Sequence, residues 1–143
     1  PEYRGCNQFS FAIYNQDLSF GTTLHIMDEG IDSGDIIAER RFNISSEISV
    51  EELLHKTVEE SKILFEKNLM RIFDSEFSPK KQRGKKRIYY RKDIKKLKEI
   101  NLSDSEEEVD LKMRASFMPG FDPPHIIIKG KKYYLIPEKS YSK

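Results

Sequence analysis

An α/β fold is what the sequence predicts, and three observations predict it. Two β-prone segments, residues 22–27 and 35–42, flank a loop dense in Asp and Gly. An amphipathic helix then runs from Ser49 to about Phe73. After Ser75 the chain turns polar and basic, then resumes as a shorter mixture of helix and strand. The 143 residues suffice for one ordinary domain or a domain with a small appendage. On this reading 1–76 is the main unit, 77–87 a basic linker and 88–143 a small α+β accessory region ending in a β-hairpin.

Each element has a local cause. Residues 1–6 read as a loop in which Gly5 gives backbone freedom near a close contact. Phe9, Ala12 and Ile13 recur at i, i+3 and i+4, which predicts a short helix over 7–15. Leu24 and Ile26 alternate with Thr23 and His25, the period-2 pattern of a strand. Ile36, Ile37 and Ala38 open the second strand, and Arg40 and Arg41 mark its exposed end. Ser49 and Glu52 form a Ser-x-x-Glu capping box at the start of the long helix. Val50, Leu53, Leu54, Val58, Leu64, Phe65, Leu69, Ile72 and Phe73 are read as one stripe packed on the sheet. Pro79 and Gly84 punctuate the linker. Beyond it the pattern predicts a brief strand at 88–90 and a helical turn at 93–98. A second capping box, Ser103 with Glu106, predicts a helix with Val109, Met113 and Phe117 on its inner face. Pro119, Gly120, Pro123 and Pro124 end it, and 126–128 with 133–136 around Lys129-Gly130 read as a hairpin.

Composition narrows the class of protein. Hydrophobic residues make up 37% and charged residues 34%, a soluble globular balance. The formal net charge of +1 gives no overall polyanion binder, although residues 80–98 hold eleven Lys and Arg against Asp93 alone. That run, with Tyr89 and Tyr90 behind it, either grips phosphates or is a solvated linker, and the second reading is the simpler. The tyrosine pair is expected to pack on the accessory region. Cys6 is the sole cysteine, which excludes a disulfide framework and fits a reducing compartment. No apolar run approaches the roughly 20 residues of a membrane span, and no signal peptide opens the chain, so the expected location is the cytoplasm. Pro1 begins in loop-like, mid-domain sequence, as a fragment would.

The chemistry concentrates between the two predicted strands. Residues 27–37, Met-Asp-Glu-Gly-Ile-Asp-Ser-Gly-Asp-Ile-Ile, place carboxylates among glycines that let backbone approach a ligand. A carboxylate there can orient a histidine or hold a water for proton transfer. Read alone, the same composition describes a solvated turn. His25, His55 and His125 have no ligand-spaced partners, so no metal is expected. Cys6 has nothing nearby to make it a thiolate nucleophile.

Pro1-Glu2-Tyr3-Arg4-Gly5, then Gly21-Thr22-Thr23-Leu24-His25-Ile26-Met27-Asp28-Glu29-Gly30-Ile31-Asp32-Ser33-Gly34, resembles the formyltransferase superfamily. That family's pattern runs Asn-x-His, Ser-Leu-Leu-Pro, an Arg-Gly or Lys-Gly loop, Gly-x-Thr and Gly-x-Asp-x-Gly. The resemblance covers about the first 75 residues and implies the C-terminal part of a Rossmann-like formyltransferase domain. It makes Asp32 the catalytic aspartate, partner of the family's histidine in a proton relay. It assigns Pro1, Asp28, Glu29, Gly30 and Ile31 to the pocket of 10-formyltetrahydrofolate, the formyl donor. Tyr3, Arg4, Asn7 and His25 are candidates for contact with the acceptor amine, although Arg4 equally suits a loop anchor and His25 a packed strand. The Asn and His themselves are absent, so these 143 residues alone are expected to be inactive.

A tail that stops soon after Tyr134 without an OB-like barrel favours a nucleotide-linked amino sugar as acceptor over methionyl-tRNA. A noncatalytic binding module that kept the loop for structure is the alternative from another class. An uncovered sheet edge and helix stripe favour association, with a homodimer as the form considered.

Overall fold

The structure, a computed structural model, describes residues 2–83 and 87–138. The chain opens with β1 (Arg4–Gly5) and α1 (Gln8–Tyr14), followed by β2 (Ser19–His25) and β3 (Ile36–Asn43). The long helix α2 (Val50–Phe73) comes next, then β4 (Ile88–Tyr89), a 3-10 turn at Arg91–Asp93 and α3 (Ile94–Lys98). The chain ends in β5 (Glu99–Ile100), α4 (Glu106–Ser116) and the hairpin of β6 (His125–Ile128) and β7 (Lys131–Tyr134).

The predicted strands form an antiparallel pair, β2 with β3, whose register runs from Ser19↔Asn43 to Leu24↔Ala38 before a bulge at His25. That bulge lies where the chain leaves the ladder for the Asp-rich loop. Bulges re-aim side chains at such exits. Helix α2 packs against both strands. Its first turn carries the predicted capping box: Glu52 N–H donates to Ser49 Oγ at 3.3 Å and Ser49 N–H to Glu52 Oε2 at 2.8 Å.

Several readings need correction. Residues 4–5 are not loop but strand, paired in parallel with β4, because Cys6 N–H reaches the Tyr89 carbonyl at 2.8 Å. Gly5 makes that approach possible: its φ is +86, and a Cβ there would collide with the Tyr89 carbonyl. Helix α4 is capped by Ser105, not Ser103, with Glu108 N–H on its Oγ at 3.3 Å. Asp104 draws the cap forward, since its carboxylate takes the Asn101 N–H and the Lys112 ammonium. The inner face of α4 is accordingly Leu111, Lys112, Ala115 and Ser116.

The single stripe on α2 resolves into two. Val50, Leu53, Thr57, Leu64 and Asn68 are buried. Thr57 and Asn68 are tolerated there because each donates to the carbonyl one turn back, Leu53 and Leu64. Val58, Phe65, Leu69 and Phe73 form a separate, exposed ridge.

One core joins the early and late chain. Ala12, Ile13, Phe20 and Leu53 cluster with Leu97, Leu111 and Ala115. Tyr89 is buried and stacks on Phe11 at 4.2 Å, so it packs on α1, not on the accessory region as expected, while Tyr90 is exposed. Among the described residues no helix is long and apolar enough to cross a membrane.

Candidate active site

The loop between β2 and β3 is closed by backbone. Ile26 N–H donates to the Asp35 carbonyl at 2.9 Å. Gly34 is buried at that crossing, and a Cβ on it would run into the Ile26 carbonyl, so only glycine lets the two limbs meet. Above the crossing, Asp28 Oδ1 accepts from Gly30 N–H at 3.0 Å and Ser33 Oγ at 2.6 Å. The Ser33 bond, with help from Gly30, holds the Asp28 carboxyl below the usual carboxylate range. Asp28 thus builds the turn.

Asp32 points the other way. Its backbone is left-handed, with φ 49, a conformation Asp tolerates better than most residues. Its Oδ2 accepts from the Gly5 N–H at 2.7 Å. Among the described residues Oδ1 has no hydrogen-bond partner. The half-buried carboxylate lines a cleft of about 170 Å³ together with Tyr3, Gln8, Thr22, His25 and Thr57.

A residue from the basic segment fixes this arrangement. Gln82 Nε2 donates to the carbonyls of Asp32, at 2.9 Å, and Gly34, at 2.7 Å. Its Oε1 accepts from Arg4 Nη2 at 2.6 Å. Two residues earlier, Lys80 exchanges a pair of backbone hydrogen bonds with Ile36, each 2.8 Å. The stretch read as a linker therefore holds the Asp32 turn at Asp32 and Gly34 and the start of β3 at Ile36.

The predicted site residues separate into groups. Asp32, Tyr3 and His25 share the cleft. The Tyr3 hydroxyl is committed, donating to Asp17 at 2.7 Å, and burial with that bond pushes its pKa well up. Arg4 serves Gln82, and Asn7, left-handed at φ 61, caps the Tyr90 carbonyl at 3.1 Å. Asp28, Glu29, Gly30 and Ile31 lie on an exposed rim beside the cleft. Pro1, and Lys85 and Lys86 of the basic run, lie outside the described residues. Thr57 and Gln82 had no sequence signal as site groups, since each is brought in by tertiary contact. Among the described residues no group of three or more His, Cys, Asp or Glu is placed to hold a metal ion.

Residues 1–69 match the family model described as "Formyl transferase". The chain is 27% identical over 135 residues to GDP-perosamine N-formyltransferase of Brucella melitensis, covering 94% of this chain and 51% of that protein. It is 33% identical over 116 residues to methionyl-tRNA formyltransferase of Methylacidiphilum infernorum, covering 80% of this chain and 36% of that one. Among solved structures it resembles the N-formyltransferase of Helicobacter canadensis, crystallised with folinic acid and dTDP-3-aminofucose. That likeness has a TM-score of 0.73 and 30% identity, covering 80% of this chain and 43% of the other. The chain thus spans about half the length of the first of these relatives, and less of the others.

Proposed function

Since the chain belongs to the formyltransferase superfamily, matching its family model over residues 1–69, we propose that it forms the C-terminal part of a Rossmann-like catalytic domain with its accessory region. In this reading the intact protein transfers a formyl group from 10-formyltetrahydrofolate to the primary amine of a nucleotide-linked amino sugar. The observation that carries it is the posture of Asp32, which lines the cleft with one oxygen pinned by Gly5 N–H and, among the described residues, no hydrogen-bond partner on the other.

When bound, the folate supplies an activated formyl carbon for attack by the amine. The rim is suited to it. Met27 is 91% exposed and Ile31 48% exposed on an otherwise polar turn, apolar side chains that a flat ligand would cover. Attack of the amine nitrogen would form the new C–N bond, place negative charge on the formyl oxygen and leave a proton to be removed from that nitrogen. Return of the oxygen's electron pair would break the bond from the formyl carbon to the folate nitrogen, which would take up the relayed proton and depart as tetrahydrofolate. The free Asp32 Oδ1 accepts an imidazole N–H or an ordered water, holding the base that takes that proton. Gly5 and Gln82 keep the carboxylate and its turn from moving, so little reorganisation is needed. The Asn-x-His pair of the family pattern does not occur in these 143 residues, and we assign them no turnover on their own.

The sugar-type acceptor is preferred because the similarity to the GDP-perosamine enzyme runs over 94% of the chain, through the closing hairpin. Methionyl-tRNA is the second reading, favoured by the higher identity of 33% over a shorter stretch. Formylation assays of the intact protein with nucleotide-linked amino sugars and with methionyl-tRNA decide between them. Asp32→Asn should keep the Gly5 contact yet lower kcat by about 10²–10⁴. Full activity in that variant removes Asp32 from the mechanism, and turnover by the 143-residue chain overturns its predicted inactivity.

A further inference from the structure

The segment that follows α2 meets the Asp32 turn and its supports at four places. Lys80 pairs with Ile36 through backbone, and Gln82 donates to the carbonyls of Asp32 and Gly34. Ile88 and Tyr89 pair with Arg4 and Gly5, and the Tyr90 carbonyl accepts from Asn7. Arg4 takes part twice. Its backbone is in register with Ile88, and its Nη2 donates to Gln82 Oε1 at 2.6 Å. Its neighbour Gly5 carries the N–H that holds Asp32 Oδ2. Two adjacent residues therefore reach Asp32 by two routes: Gly5 directly to the carboxylate, and Arg4 through Gln82 to the carbonyl.

Burial alone does not explain an arginine here. Arg4 is half-buried, and among the described residues no carboxylate pairs with it and its Nε is buried with no acceptor. A buried donor without a partner gives up hydration and gains nothing in return. An unbranched apolar side chain would fill the same space without that penalty. What the guanidinium supplies is its bond to Gln82.

That bond completes the Gln82 amide. Nε2 serves two carbonyls and Oε1 serves Arg4, so both ends of the amide are engaged. A guanidinium has donors only, so it meets the amide oxygen and opposes any flip that would present the NH2 group instead. A charged donor on Oε1 also polarises the amide and strengthens its donation to the two carbonyls. We propose that Arg4 is a positioning residue for formyl transfer, acting through Gln82 on the Asp32 turn and touching neither substrate. The proposal rests on the catalytic reading of Asp32.

Formyl transfer by the intact protein in Arg4→Met, Gln82→Ala and the double variant tests it. Arg4→Met should lower kcat about tenfold, as expected for loss of a charge-assisted bond, and leave KM for donor and acceptor at the wild-type values. In the Gln82→Ala background it should lower kcat no further, because the route from Arg4 to Asp32 is already cut. Arg4→Lys keeps a charged donor and should hold kcat within about threefold of wild type. Hydrogen exchange supplies a readout independent of turnover: the Gly5 N–H should exchange about tenfold faster in Arg4→Met and at the wild-type rate in Arg4→Lys. Arg4→Gln, uncharged, takes the place of Arg4→Met should that variant fail to fold, with a fall in the same direction expected. Equal losses of kcat with and without Gln82 overturn the proposal, as does unaltered Gly5 exchange in a folded Arg4→Met. A raised acceptor KM at unchanged kcat overturns it in favour of direct contact between Arg4 and the acceptor. An intact wild-type protein that formylates no amine refutes the enzyme reading instead, and the Gly5 exchange rates then still decide whether Arg4 acts on the turn.

Discussion

Asp32 and Gln82 illustrate how a half-buried carboxylate is aimed without a charged partner. Neutral donors do the work: the Gly5 N–H on the carboxylate, and the Gln82 amide on the carbonyls of residues 32 and 34. Gln82→Ala removes two donors and should cost about 1–3 kcal/mol in urea unfolding, from net values near 0.5–1.5 per hydrogen bond. Gln82→Glu separates stability from positioning. Its carboxylate still accepts from Arg4 but turns oxygen toward two carbonyl oxygens, so formyl transfer by the intact protein should fall at least as far as in Gln82→Ala. If Gln82→Glu retains full kcat, the clamp does not position Asp32. Asp32 was legible in the sequence as a candidate because it sits in a motif of fixed spacing. Gln82 was not, because a glutamine in a basic, Pro-punctuated stretch carries no period and meets its partners fifty residues away.

Elements were legible where local rules and burial agree. The α2 cap is such a case, with Ser49 and Glu52 reciprocally bonded, and Ser49→Ala should cost about 1 kcal/mol in chemical denaturation. Helix α4 was misread because two serines, 103 and 105, each precede a Glu by three, and only tertiary contact chooses between them. The Asp104–Lys112 pair, 2.6 Å apart and nearly buried, makes that choice. It also makes stability depend on pH. The Asn101 N–H, then Lys112, hold the Asp104 carboxyl below its ordinary value. A lowered folded-state pKa stabilises above the unfolded value near 3.9, and the benefit disappears as pH falls through the folded value. Asp104→Asn should therefore lose stability at neutral pH and show a shallower decline than wild type below about pH 4. Parallel acid-unfolding curves for the two proteins would remove Asp104 from the acid response.

At the scale of the whole molecule, burial is unevenly shared between the faces of α2. The inner face closes on β2, β3 and α1, and the core runs on through Leu97, Leu111 and Ala115, so residues from both predicted units enclose one interior. Unfolding of the 143 residues should accordingly show one transition by circular dichroism and by tyrosine fluorescence. The outer ridge has no such cover: Val58 is 59% exposed, Phe65 48% and Phe73 82%. The sequence pattern merged this ridge with the inner face because their stripes adjoin on the helix, and periodicity reports apolar positions without saying what meets them. Contiguous apolar ridges of this kind mark contact surfaces. Sedimentation velocity on the 143-residue chain should therefore show mass rising with concentration. Phe65→Glu with Leu69→Glu, both at exposed positions where charge costs the fold little, should return it to a monomer with an unchanged far-ultraviolet spectrum. A wild-type chain that stays monomeric as its concentration rises would mean that the ridge is no contact surface and that its apolar residues are simply tolerated by water.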